Sequence, residues 1–405
     1  MSTTNAFTRL TNHFRIRHLI ASYDSDLYSE LAYVLYKNAP PDGSIWQKLC
    51  NIYNIRCKQQ IYDDYLLLSV KNIHVDSLSH DLDIDESHIK NYVESCTGVE
   101  TLACYGENKT NFSKLTQLKS LMILNFDEQV NMLSDLTNLE RLRLCGKYDQ
   151  PIDGIGNLIK LTHLEIGRQF KQPIEELSKL HNLTHLKFDS GFNQSIDALA
   201  GLTNLTTISF GSDFNQSIDA LAGLTNLTAI SFGGDFNQPI DVLAGLTNLT
   251  KLSFWANFNQ PIDGLSSLNK LTTLSFGYHF NRPIDAISSL TNLTELRFGA
   301  DFNQPIDALS GLTNLTTLIF SIRFNQPIDA LSGLTNLAEL EFGDRFKQPV
   351  DALGELPNLR TIRFGAKFNL PINLPKLKKL EDIYIRNNKC NNINITSGRI
   401  RHPWQ

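Results

Sequence analysis

The segment from Leu205 to Asn226 reads Leu205-Thr-Thr-Ile208-Ser-Phe210-Gly-Ser-Asp-Phe214-Asn-Gln-Ser-Ile218-Asp-Ala-Leu221-Ala-Gly-Leu224-Thr-Asn226. Its first half alternates apolar and small polar residues and is rich in β-branched and aromatic side chains, the pattern of a short strand. Ile208 and Phe210 then face inward, while Thr207 and Ser209 face outward. Gly211 lets the chain turn, and Phe214 and Ile218 return apolar groups to the core. Asp219 stands before Ala-Leu-Ala-Gly-Leu, where its carboxylate is expected to cap one short α or 3₁₀ turn. Leu221 and Leu224 bury that turn.

The same unit recurs along the chain. The aromatic at its centre falls at Phe126, Tyr148, Phe170, Phe192, Phe214 and so on to Phe368, always 22 residues apart. A fixed period of this length signals a solenoid, in which each coil buries its apolar face only against its neighbours. The apolar triplet spaced as in Leu205, Ile208 and Phe210 occurs fourteen times, from Val99 to Leu380. This spacing resembles the leucine-rich repeat. The expected fold class is therefore α/β: a leucine-rich-repeat-type solenoid with a parallel sheet of about 14 short strands, preceded by a small helical region. Expected boundaries are 1–60 for a helical first region, 61–97 for a helical N-terminal cap, 98–390 for the solenoid and 391–405 for a C-terminal cap and tail.

Composition limits the function classes. The 405 residues are 41% hydrophobic and 20% charged, ordinary for a folded chain, and the net charge of −5 argues against nucleic acid or a membrane surface as partner. No run of apolar residues reaches the length of a membrane span. The opening Met-Ser-Thr-Thr-Asn-Ala-Phe-Thr-Arg-Leu lacks the apolar core of a signal peptide. Six scattered cysteines with no Cys-x-x-Cys pair fit reduced thiols. Asn-Leu-Thr recurs at Asn182, Asn204, Asn226, Asn248, Asn292 and Asn314. Glycans on successive coils would crowd one another. The chain is expected in the cytoplasm or nucleus, not secreted.

The repeated polar residues read as structure. The Asn that follows the motif aromatic, as at Asn215 and Asn237, is expected to form an amide ladder between coils. Lys171 and Lys347 share that column, so the ladder is not strictly buried. The Asp column offers one carboxylate per coil, too few oxygens for calcium. His163 and His185 fall at the same strand position with no third ligand. No metal or cofactor is expected. Neither a nucleophile–base pair nor a phosphate loop stands out, so binding is favoured over catalysis.

Binding is expected where outward positions depart from the repeat. Trp255 replaces the Gly that follows most strands, and Tyr278-His279 follow on the next coil. With Lys251 and Arg297 they form the candidate partner site on the sheet face.

Phe298-Gly-x-x-Phe302-Asn-Gln-Pro-Ile306 resembles the FNIP repeat, a leucine-rich-repeat relative of social amoebae and of giant viruses of amoebae. The resemblance covers about residues 118–373. For a virus, the location implied is the host cytoplasm. In several such proteins the repeats follow an F-box, and residues 10–55 are similar to one. Leu27, Leu31, Val34 and Leu35 lie on one face of an amphipathic helix, and Trp46-Gln-Lys-Leu49 matches the Leu-Trp-x-x-Leu end of the box. The Leu-Pro opening is missing. What this resemblance implies is docking, through Leu27, Leu31, Trp46 and Leu49, on the Skp-type subunit of a cullin-type ubiquitin ligase. The alternative is a stand-alone repeat protein with no ligase link.

Overall fold

A computed structural model describes residues 72–74, 100–105, 112–387 and 393–401. The F-box-like stretch, with Leu27, Leu31, Trp46 and Leu49, lies outside the described residues, as does most of 61–97. The chain divides into two compact units, Met1–Leu183 and Thr184–Gln405.

In the first unit, β1 (Asn72–His74), β2 (Thr101–Tyr105), β3 (Ser120–Leu124), β4 (Arg141–Lys147) and β5 (His163–Arg168) pair in chain order, all parallel. Strand β1 corrects the expectation of an entirely helical 61–97. A first coil offers a row of free backbone groups, and three extended residues satisfy them.

In the second unit the sheet order is β6 (His185–Phe188), β7 (Thr207–Ser209), β8 (Ala229–Phe232), β9 (Lys251–Phe254), β10 (Thr273–Ser275), β11 (Glu295–Arg297), β12 (Thr317–Ile319), β13 (Glu339–Glu341) and β14 (Thr361–Phe364). It continues through β16 (Asp382–Ile385) and β18 (Arg399–Arg401). A separate parallel pair joins β15 (Ile372–Leu374) to β17 (Ile393–Ile395). The fourteen sequence triplets supply β2 to β14 and β16; β1 and β18 are additional. Strand β15 stands where other coils have a helical turn, and there Pro375 follows Leu374 and favours extended backbone before it.

The fold class is the expected solenoid with a parallel sheet, and its short turns take the 3₁₀ form. Among the described residues every helical segment is a 3₁₀ turn of three to five residues, such as Asp219–Leu221. Asp219 does not cap it. Ile218 holds the N-cap position without a side-chain bond, and Asp219 is the first residue of the turn, its carboxylate accepting Ser217 Oγ at 2.8 Å. The turn is closed by Leu221 N–H donating to Ile218 C=O at 2.9 Å. With so few residues between Ile and the next Leu, an i→i+3 ring fits where a full α turn does not.

The core is a thin, dry strip. Leu205, Ile208, Phe210, Phe214, Ile218, Leu221 and Leu224 are all buried. In the second unit two files of rings stack along it. Phe232 lies 5.4 Å from Phe254 and Phe236 lies 6.1 Å from Phe258, while within one coil Phe254 and Phe258 are 3.9 Å apart.

Polar ladders run beside the rings. Asn237 N–H donates to Asn215 Oδ1 at 3.0 Å, and Gln238 Nε2 donates to the Asn215 carbonyl at 2.9 Å. This is the amide ladder expected from the sequence. Lysine is tolerated in the column because its own N–H is what the previous coil receives: Lys347 N–H donates to Asn325 Oδ1 at 2.8 Å. At the opposite corner, Asn226 Nδ2 donates to Thr203 C=O at 2.9 Å and Thr228 Oγ1 donates to Thr206 C=O at 3.1 Å.

Candidate interaction surface

The loop after each strand forms a rim along the second unit. It is tied from coil to coil by its own backbone: His279 N–H donates to Ala256 C=O and Asp301 N–H to Tyr278 C=O, both at 2.8 Å. The first rim position is normally Gly, for a steric reason. A Cβ at Gly233 would sit 1.9 Å from Gly211 O, and one at Gly277 would sit 1.5 Å from Trp255 O. At Trp255, which follows β9 as Gly233 follows β8, the N–H donates to Phe232 C=O at 3.1 Å and the side chain is largely exposed.

Trp255 is 66% exposed and Tyr278 51%, on adjacent coils. Such exposure stands out beside a core whose rings are closed to solvent. The Tyr278 ring meets His279 edge-on, with centroids 4.8 Å apart. His279 Nδ1 lies 2.8 Å from Asp301 Oδ2, and Arg323 Nε lies 3.1 Å from Asp301 Oδ1. Asp301 thus holds two neighbours in place on the rim. These surface pairs orient side chains more than they stabilise, on the order of 0–1 kcal/mol each.

The five residues named from sequence are only partly brought together. Trp255, Tyr278 and His279 share the rim. They follow the strands, at and beside the position normally held by Gly. Lys251 begins β9, at the other end of the strand from Trp255. Arg297, on β11, is paired with Glu295 of its own strand. Ile322, 41% exposed at the second rim position, had not been singled out. Its signal was present, since that position is Ser212, Gly234, Ala256 and Ala300 on other coils.

Elsewhere, Thr162 Oγ1 lies 2.9 Å from His163 Nδ1 and Thr184 Oγ1 lies 2.8 Å from His185 Nδ1. Among the described residues no cluster of three His, Cys, Asp or Glu could hold a metal, and no helix is long and apolar enough to cross a membrane. Burial raises the Tyr148 phenol above its ordinary pKa of 10.0, and its hydroxyl donates to Pro151 C=O at 3.2 Å.

Solved structures share this architecture. A leucine-rich-repeat protein of Leptospira interrogans superposes with a TM-score of 0.65 at 14% identity, over 84% of this chain and 95% of that one. The chain has the leucine-rich-repeat fold. An internalin of Listeria monocytogenes matches at a TM-score of 0.55 and 21% identity, over 66% of this chain and 83% of its own. Toll, solved in complex with Spatzle from Drosophila, matches at 0.55 and 18% identity, over 84% of this chain and 55% of its own. No protein-family model matches the sequence, and no curated protein matches it.

Proposed function

We propose that this leucine-rich-repeat chain is a protein-binding scaffold, not an enzyme, and that its partner docks on the rim at Trp255, Tyr278 and His279. Lys251 and Arg297 flank that contact from the sheet face. The observation that carries this reading is the pair of exposed rings on a rim whose other positions, Ile322 apart, are small or polar. Large aromatics that leave water on association contribute most to protein interfaces. The Toll–Spatzle complex shows a protein of this fold holding a protein ligand. A photoreactive phenylalanine analogue placed at position 255 of the full chain should cross-link a protein in extracts of the source cells. The same analogue at Ser209 should not. Equal labelling at both positions would remove the rim from consideration.

The finer reading is an FNIP-type adaptor that presents a client to a cullin-type ubiquitin ligase. Its support is Trp46-Gln-Lys-Leu49, with Leu27 and Leu31 on the preceding apolar face. Full chain mixed with a Skp-type subunit should co-elute from a sizing column, and Trp46→Ala should abolish this. Separate elution of the unmutated chain would leave the stand-alone scaffold. We place the protein in the cytoplasm, or the host cytoplasm for a viral chain, or in the nucleus. The Asn226 amide nitrogen, a potential glycan acceptor, is engaged on Thr203.

A further inference from the structure

A second surface lies beside the strand starts of β10 to β14. There a shallow groove of about 740 Å³ is floored by the Asn and Thr columns, including Asn292, Asn314 and Asn336, with Lys270 and Arg360 at its ends. Asn292, Asn314 and Asn336 each spend a side-chain N–H on a carbonyl of the coil before, at 2.7, 3.0 and 2.9 Å. Thr294 and Thr316 spend their hydroxyl protons in the same way, at 3.1 and 2.9 Å. Each Asn keeps its Oδ1 acceptor and its second amide N–H, one such set per coil. Glu295 and Glu339 follow directly on the sheet face.

The chain itself shows what such an acceptor takes. Where the next coil carries Lys in the Asn column, the ammonium sits on the preceding Oδ1. Lys160 reaches Asn138 at 2.7 Å, Lys270 reaches Asn248 at 2.7 Å and Lys379 reaches Asn358 at 2.6 Å. Asn292, Asn314 and Asn336 are followed by Asn and lack this internal ammonium. The two cations at the groove ends are already engaged, Lys270 as above and Arg360 with Glu381 at 3.3 Å.

We propose that this groove binds the lysines of an extended segment of a protein partner, with ammonium groups on Asn292 and Asn336 Oδ1. Spacing favours one register. A polyproline II chain repeats a face every three residues, about 9 Å, and two coils are separated by roughly 9.6 Å. Lys-x-x-Lys therefore fits alternate coils. The inference rests on the protein-binding reading but uses a different surface from the rim.

The test is fluorescence anisotropy of the full chain with labelled proline-rich peptides bearing Lys-x-x-Lys-x-x-Lys. Acetylating the lysines, or moving them to Lys-x-Lys spacing, should weaken binding about tenfold or more. Asn314→Lys should do the same, because the new ammonium caps Asn292 as Lys270 caps Asn248. Its melting temperature should match the unmutated chain, since three natural coils carry this arrangement; Asn336→Lys is the second variant. Trp255→Ala with Tyr278→Ala should leave peptide affinity unchanged. Equal affinity for acetylated peptide, undiminished binding by both Lys variants, or tighter binding of spermidine than of the peptide would overturn the proposal. No peptide binding alongside intact cross-linking at position 255 would sink this inference alone; loss of both would sink the scaffold reading.

Discussion

The two units bury the same motif aromatic but support it differently. In the first, Phe126, Tyr148 and Phe170 form a single file, 5.6 and 5.9 Å apart. The neighbouring strand positions are aliphatic Ile123, Leu144 and Ile166. In the second unit those strand positions become Phe, and every motif ring from Phe192 to Phe368 has a partner about 4 Å away in its own coil. Backbone regularity follows the rings. The first unit has a register shift between Leu144 and Lys147, and among the described residues the non-glycine residues with positive φ, Asn125 and Gln169, lie in it. Flat paired rings dictate one coil height, and aliphatic side chains tolerate several.

The largest effect should come from breaking the double file. Phe258→Ala removes a ring with stacked partners on both sides and in its own coil, and should cost about 3–5 kcal/mol in urea denaturation. Phe126→Ala, with one stacked neighbour in Tyr148, should cost roughly 1 kcal/mol less, by the value of an aromatic pair. Equal losses would mean that the second file adds nothing.

Next comes the amide ladder. Asn237→Ala strands the Asn259 N–H, which donates to Asn237 Oδ1 at 2.9 Å, and should cost about 1–2 kcal/mol. Asn237→Asp should cost less than the Ala change, because Asp149 already serves this role for Lys171 N–H at 2.8 Å.

Tyr148→Phe should change stability by no more than about 1 kcal/mol at neutral pH. Its sharper signature is alkaline. The folded phenol pKa is raised above the unfolded 10.0, so the folded state holds the proton more tightly. That contribution is full below pH 10 and fades as pH rises toward the folded value. Tyr148→Phe should therefore lose less stability above pH 10 than the unmutated chain, read as melting temperature against pH.

The smallest stability effect belongs to the rim. Trp255→Ala with Tyr278→Ala should shift stability by less than about 0.5 kcal/mol, since both rings are exposed. A large drop would make them part of the packing and remove them as a contact surface.

Much of this was written in the residues. The 22-residue spacing placed the strands, the buried positions and the Asn ladder, because a solenoid repeats its environment whenever the chain repeats itself. Asp219 was misread as a cap because local preference alone does not tell an N-cap from the first residue of a 3₁₀ turn. Trp255 was recognisable as a departure from the Gly that follows most strands. Its exposure, and the bond from its N–H to Phe232 in another coil, depend on how the coils stack.

The repeat, the direction of each side chain within a coil and the parallel sheet are all legible in the order of the residues. All three follow from periodicity and from the need to bury one apolar face. Which polar atoms are engaged is settled by the stacking of the coils. Which amide atoms of Asn314 are engaged depends on what the neighbouring coil has already taken, and that neighbour is brought into reach by stacking.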